Sequence, residues 1–248
     1  MASNKKPWLI NYDQGVPQEI DIPNISLVDL FRNSVHNSSS STCIIYHGMS
    51  FTYQAVDELS DRVARYLITR GVKKGDRVGI LLPNTPEFVI SYYGILKAGG
   101  VVMAINPAFR PNEIEAQALE SGIRILILPD HFYPTLLAMA AKTQLESMVV
   151  VGDHPADLQP GDLPWKAMLE EHQAGEPVQV PVGPDDPAVF QYSGGTTGTP
   201  KCAIGLHRNL VANVVQFDHW LVNTEEGKET LLVAIPMYHV YGMVLGMN

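Results

Sequence analysis

Ser193-Gly194-Gly195-Thr196-Thr197-Gly198-Thr199-Pro200-Lys201 is the densest polar cluster in the chain, with three glycines, four hydroxyls and one amine in nine positions. Glycines let a backbone approach a ligand and take positive φ, so that successive N–H groups converge on phosphate oxygens. Hydroxyls add donors, and Lys201 adds a point charge. Each charge-assisted hydrogen bond to a phosphate is worth about 1.5–3 kcal/mol, so a few together can hold a polyphosphate. The same composition also suits a solvated hairpin loop, because Gly, Ser and Thr are common turn residues. Spacing excludes two other phosphate loops. A Walker A loop needs Gly before its lysine and Ser or Thr after it, whereas Lys201 lies between Pro200 and Cys202. A dinucleotide fingerprint runs from strand into helix, whereas this stretch leads into the apolar run KCAIGL, which reads as a strand. The second candidate stretch is AIPMYHVYGM, where His239 reads either as a satisfied core histidine or as a site group.

Such groups need a frame to position them. CIIY, the turn His47-Gly48 and SFTY read as a hairpin. Over residues 54–70 the apolar positions Val56, Leu59, Val63, Tyr66 and Leu67 recur three and four apart, which predicts a helix that Gly71 stops. RVGILLP at 77–83 is a continuous apolar run of strand length, followed by a predicted helix over 86–98 that ends at Gly99-Gly100. The alternation then repeats through VVMAIN, a helix over 111–121, RILIL, a helix over 134–145, and SMVVVG. Alternating strand and helix of this kind predicts an α/β fold of βαβ units, a mainly parallel sheet flanked by helices. Strands so uniformly apolar are covered on both faces.

Residues 153–186 are rich in Pro, Gly and Asp and read as a long surface connection with a short helix around 165–172. AVFQYS then predicts a strand leading into the polar cluster, KCAIGL a strand leaving it, and residues 208–221 a helix. TLLVAIP reads as one more strand, and YHVYGMVLGMN opens a new element.

With 248 residues, 46% apolar and 17% charged, the chain has the composition of a folded globular protein. Its net charge of -9, without a Lys/Arg cluster longer than the pair Lys73-Lys74, argues against a nucleic-acid surface. Cys43 and Cys202 are the only cysteines and lack ligand spacing, which excludes a disulfide framework and a zinc site and fits a reducing cytoplasm. The N-terminus has no continuous apolar core of the signal-peptide type. The uncharged stretch 231–248 is interrupted by Pro236 and His239 and reads as buried strand and turn, not a transmembrane segment, although peripheral membrane contact stays open.

FQYSGGTTGTPK resembles the AMP-binding signature of the adenylate-forming superfamily, and AIPMYHVYGM resembles the next family motif. KKGDRVGILLPNTPEF and GILKAGGVVMAINP resemble the early part of that fold, so the likeness covers essentially the whole chain. PWLINYDQGVPQEI, the Gly-Gly pair and HVYGM are most similar to bacterial long-chain fatty-acid CoA ligases.

The resemblance implies the N-terminal subdomain of the acyl-CoA synthetase fold, truncated, with three parts: a lead-in and hairpin over 1–50, an α/β subdomain over 51–206 ending in the phosphate loop, and the start of a next α/β subdomain over 207–248. It implies ATP with Mg²⁺, CoA as co-substrate and a fatty acid. Ser193 to Lys201 would hold ATP, with Thr196, Thr197 and Lys201 at the β- and γ-phosphates and Gly194, Gly195 and Gly198 allowing backbone approach. Thr196, Lys201 and His239 would take part in catalysis, and His239, Tyr241 and Gly242 would bind substrate. An amino-acid-activating relative would place an aspartate between Met237 and Asn248; none is present, which favours an apolar acid. Cys202 stands where the family usually has glycine, and reads as packing in preference to redox chemistry. Motifs that the resemblance places later, including those that hold Mg²⁺, have no counterpart here, so the expectation is a fragment that needs the C-terminal portion of the same enzyme. Two alternatives stay open: an aromatic-acid CoA ligase, and a non-catalytic remnant that binds a nucleotide or a partner.

Overall fold

The computed structural model describes residues 6–153, 157–173, 175–192, 201–225 and 227–248. After a short 3-10 helix over Pro7–Asn11, the first α-helix is α1 (Leu27–Ser38), inside the region read from sequence as a lead-in. Its start is chemically marked: Ser26 Oγ accepts from the Asp29 amide at 3.1 Å, and Asp29 Oδ2 accepts from the Ser26 amide at 3.0 Å. This reciprocal cap satisfies two donors that helix geometry leaves without partners. Strands β1 (Thr42–Tyr46) and β2 (Met49–Thr52) form the expected antiparallel hairpin. Its two-residue turn places His47 at φ 46° and Gly48 at φ 83°, the left-handed pair that matches strand twist.

Thr52 then caps α2 (Tyr53–Thr69) through its Oγ1, which accepts from the Ala55 amide. The alternating elements follow: β3 (Arg77–Ile80), α3 (Pro86–Lys97), β4 (Val101–Ala104), α4 (Pro111–Ser121), β5 (Ile125–Pro129), α5 (Tyr133–Ala140) and β6 (Ser147–Val151). A short β7 (Leu163–Pro164) and α6 (Trp165–Glu171) interrupt the long connection. Then come β8 (Pro187–Tyr192), β9 (Cys202–Leu206), α7 (His207–Trp220) and a π-helical stretch over Gly242–Met247.

The large sheet has the order β7-β6-β5-β3-β4-β8-β9, and every pair except β8–β9 is parallel. Alternation along each strand sorts its side chains onto two faces. Val78, Ile80, Val102, Ile125, Ile127 and Val149 join one core with residues of α1, α2, α3, α6 and α7. Leu81, Met103, Leu126, Leu128, Met148 and Val150 join a second core with Ile114 and Ala118 of α4 and Leu136 and Met139 of α5. Two covered faces are why these strands read as continuous apolar runs.

On the first face, α2 and α3 approach so closely that a Cβ on Gly94 would sit 2.6 Å from Val63 Cβ. At the end of α3, Lys97 is 1% exposed, and its Nζ donates to the Asp57 carbonyl at 2.8 Å, Asp57 Oδ1 at 2.6 Å and Asp61 Oδ1 at 2.8 Å. All three ammonium hydrogens are thereby used, and the charge lies 5.7 Å from the centre of the Phe31 ring on α1. The three helices share one ionic pin.

Helix α7 docks on α1 through the buried His207. Its Nδ1 accepts from the Leu27 amide at 3.1 Å, which fixes a neutral ring with its proton on Nε2. Burial pushes the imidazole down to about 4, against the upward pull of Asp186 and Asp29.

Two expectations are corrected. Helix α5 ends at Ala140, short of 145, because Thr143 Oγ1 donates to the Ala140 carbonyl and accepts from the Leu145 amide, diverting the last turn. TLLVAIP is not a strand. It finds no ladder among the described residues, Leu232 is 88% exposed, and the carbonyls of Val233 and Ile235 instead accept from the Asn84 side chain.

Replacing Lys97 by Met strips the counter-charge from Asp57 and Asp61, and urea unfolding is expected to show a loss of about 3–5 kcal/mol. His207 generates a pH dependence. Above its unfolded value of 6.5 both states are neutral and its full contribution is present; as pH falls from there toward about 4, only the unfolded chain takes up the proton. Stability therefore drops by about 3 kcal/mol across that window and levels off below it. His207→Gln, which keeps an acceptor for Leu27, is expected to lose this part of the pH slope in parallel urea titrations.

Candidate functional site

Because β3, β4, β5, β6, β7 and β8 are mutually parallel, their carboxyl ends share one edge of the sheet. In open α/β sheets that edge is where ligands bind, near the point at which the strand order reverses. Here the reversal falls at β3, flanked by β4 on one side and β5 on the other.

Strand β8 reaches this edge at Tyr192, whose partner across the antiparallel ladder is Cys202. The polar cluster thus leaves and re-enters the sheet at one rung. Ser193, Gly194, Gly195, Thr196, Thr197, Gly198, Thr199 and Pro200 lie outside the described residues, while Lys201 stands exposed immediately before β9. Burial, then the charge of Glu120 on α4, hold the Tyr192 phenol far above its ordinary range. Burial, then the Glu120 charge, also raise the Cys202 thiol. A raised thiol favours its protonated form.

The second motif arrives at the same edge. Asn84, in the loop that follows β3, donates through Nδ2 to the carbonyls of Val233 at 3.2 Å and Ile235 at 2.9 Å. Its Oδ1 accepts from the Met237 amide at 2.7 Å. Next along the chain, Gln191 of β8 donates from Nε2 to the Tyr238 carbonyl at 3.3 Å. The His239 amide turns back to the Pro236 carbonyl at 3.1 Å, and the His239 carbonyl accepts from Met243, opening the π-helical stretch. His239 is exposed, and Tyr241 is 57% exposed. Gly242 is buried, where an added Cβ would lie 2.3 Å from the Pro236 carbonyl oxygen, so no larger residue fits that turn without moving it. The structure therefore brings Tyr192, Lys201 and the His239 segment to one edge, and the tie between the two motifs is the Gln191–Tyr238 hydrogen bond.

Asn84 and Gln191 were not singled out from sequence. A signal existed in each case: an amide side chain placed directly after or within an apolar strand that ends at the ligand-binding edge. Asn84 and Met237 also line a cavity of about 710 Å³ with apolar walls from Leu30, Phe31, Ile44 and Val89. Among the described residues, no group of three or more His, Cys, Asp and Glu side chains converges on a metal position, and no helix is long and apolar enough to cross a membrane.

Comparison with known proteins agrees with this geometry. The chain is 31% identical to a long-chain-fatty-acid–CoA ligase of Bacillus subtilis (strain 168), over 99% of this chain and 48% of that protein. It is 31% identical to 4-coumarate-CoA ligase 2 of Narcissus pseudonarcissus, over 86% of this chain and 39% of that one. Among solved structures, a long-chain-fatty-acid-CoA ligase from Archaeoglobus fulgidus superposes with a TM-score of 0.80 at 25% identity, covering 94% of this chain and 46% of that chain. The chain spans about half the length of these relatives. The AMP-binding enzyme family matches residues 31–248, and the chain belongs to that family.

Proposed function

We propose that this chain is the N-terminal part of an AMP-forming acid–CoA ligase that activates a long-chain fatty acid. The observation that carries the reading is the shared edge: the two ends of the signature stretch and the His239 segment meet at the carboxyl end of one parallel sheet, tied by Gln191. The carboxylate of the acid attacks the α-phosphate of ATP, giving acyl-AMP and pyrophosphate; CoA thiolate then displaces AMP.

Thr196, Thr197 and Lys201 are assigned to the β- and γ-phosphates, where they orient and neutralise the departing pyrophosphate. Gly194, Gly195 and Gly198 allow the backbone to close on it, and Ser193 and Thr199 add donors. His239 is assigned a place beside the acid carboxylate and the adenylate, with Tyr241 and Gly242 at the acyl side. Mg²⁺ would neutralise phosphate charge; among the described residues no group of three or more His, Cys, Asp and Glu side chains forms a cage for it. We assign 1–50 to a lead-in and hairpin, 51–206 to an α/β subdomain ending in the phosphate loop and 207–248 to the start of the next subdomain. The reading places the protein in the cytoplasm and its catalysis in a longer chain, since relatives of this activity are about twice as long. The likeness to a 4-coumarate-CoA ligase favours one second reading, an aromatic-acid ligase.

In a protein extended to the relatives' length, Lys201→Ala is expected to slow adenylate formation about 10²- to 10³-fold, the usual effect of losing one preorganised charge donor. Pyrophosphate exchange into ATP measures this directly, and equal rates for variant and parent would reject the assignment. A series of fatty acids of increasing length, run against a hydroxycinnamate, separates the two substrate readings. The 248-residue chain alone is expected to form no acyl-CoA under the same assay; turnover by it would overturn the claim that the remaining portion is required.

A further inference from the structure

Asn84 is attached to the sheet at the point where the strand order reverses, two residues beyond the fully buried Leu82. Its side chain spends both amide hydrogens and its oxygen on the backbone of a single segment, residues 233–237. Three bonds of this kind from one residue do what a strand ladder does elsewhere. They fix the path of a chain that has no ladder of its own. The partners are peptide groups, so the clamp is indifferent to the side chains of 233–237 and depends on the amide at position 84.

The consequence concerns His239. The Met237 amide is held by Asn84, the Tyr238 carbonyl by Gln191, and the His239 amide by the Pro236 carbonyl. Three successive residues each have a main-chain group pinned, so the imidazole keeps only its own side-chain torsions. We propose that Asn84, with Gln191, is a positioning residue that fixes where His239 stands relative to the carboxyl ends of β3 and β8. This rests on the ligase reading above, in which His239 faces the reacting carboxylate. Misplacement of such a group by about 1 Å is enough to cost on the order of 100-fold in rate.

The test uses the protein extended to the relatives' length, with pyrophosphate exchange as readout and variants Asn84→Ala, Asn84→Asp, His239→Ala and the double variant Asn84→Ala/His239→Ala. Asn84→Asp keeps the acceptor for Met237 and loses both donors, so it serves where Asn84→Ala folds poorly. The expected result is a fall in kcat of about 10- to 100-fold for Asn84→Ala, a smaller fall for Asn84→Asp, and KM for ATP changed less than about twofold, because the phosphate loop hangs from β8 and β9 and not from this segment. The decisive comparison is the double variant. If Asn84 acts through His239, it is no slower than His239→Ala alone. Multiplicative losses, or a raised KM for ATP with unchanged kcat, would overturn the proposal while leaving the ligase reading intact. A parent that exchanges no pyrophosphate at all would instead sink the ligase reading and this role with it. Amide hydrogen exchange on the 248-residue chain checks the clamp independently: Met237 should exchange at least tenfold faster in Asn84→Ala, and unchanged protection would refute it.

Discussion

A parallel sheet must be buried on both faces, and the rest of this molecule follows from that constraint. Parallel neighbours require crossovers, crossovers supply helices, and the helices cover the faces. Val78 and Ile80 look into one core while Gly79 and Leu81 look toward the other. The same constraint gathers the carboxyl ends of β3, β4 and β8 on one edge, so loops far apart in sequence become neighbours. The site is thus a by-product of strand direction: burial of apolar residues sets the edge, and polar groups in the loops give it chemistry.

The cost of covering two faces is that helices must pack on one another as well as on the sheet. Gly94 removes a side chain where α2 and α3 touch, and Lys97 brings a charge into the same region. That charge survives burial because Asp57 and Asp61 lie four residues apart on α2 and meet it with three hydrogen bonds. Lys201 differs in burial: it is exposed, immediately before β9. The chain carries 26 acidic and 17 basic residues, yet exposed charges are screened beyond about 8–10 Å. What a phosphate meets is therefore set by nearby donors and not by the net charge.

The frame was largely legible in the sequence because its period is short. Strand runs such as RILIL and helical spacing such as Val56, Leu59 and Val63 declare burial within a few residues. Failures arose where the deciding interaction was distant or lay between side chain and backbone. Helix α1 was passed over although Ser26 and Asp29 carried its capping signal. The apolar run TLLVAIP satisfied every local criterion for a strand, but a strand exists only through a neighbour, and here no neighbouring strand among the described residues pairs with it. A helix over 208–221 was legible, but that His207 caps a different helix through the Leu27 amide depends on a contact 180 residues away. Of the candidate site, motif resemblance singled out His239, Tyr241 and Gly242, yet only the packing shows Gly242 pressed against the Pro236 carbonyl.

The same distinction explains why the amides at 84 and 191 escaped notice while the residues they hold did not. A motif names residues whose chemistry is used, and HVYGM does so for His239. The coordinates of that histidine are set elsewhere, by Asn84 at a separation of 153 residues from Met237 and by Gln191 at 47 from Tyr238. Closing so long a loop costs only slightly more entropy than closing a short one, because the penalty grows with the logarithm of length. Three well-aligned hydrogen bonds at one residue can offset it where single apolar contacts of an exposed run cannot. An isolated apolar segment thereby acquires a fixed path without a ladder. The place of His239 belongs physically to the ends of β3 and β8, and only its identity belongs to the motif that contains it.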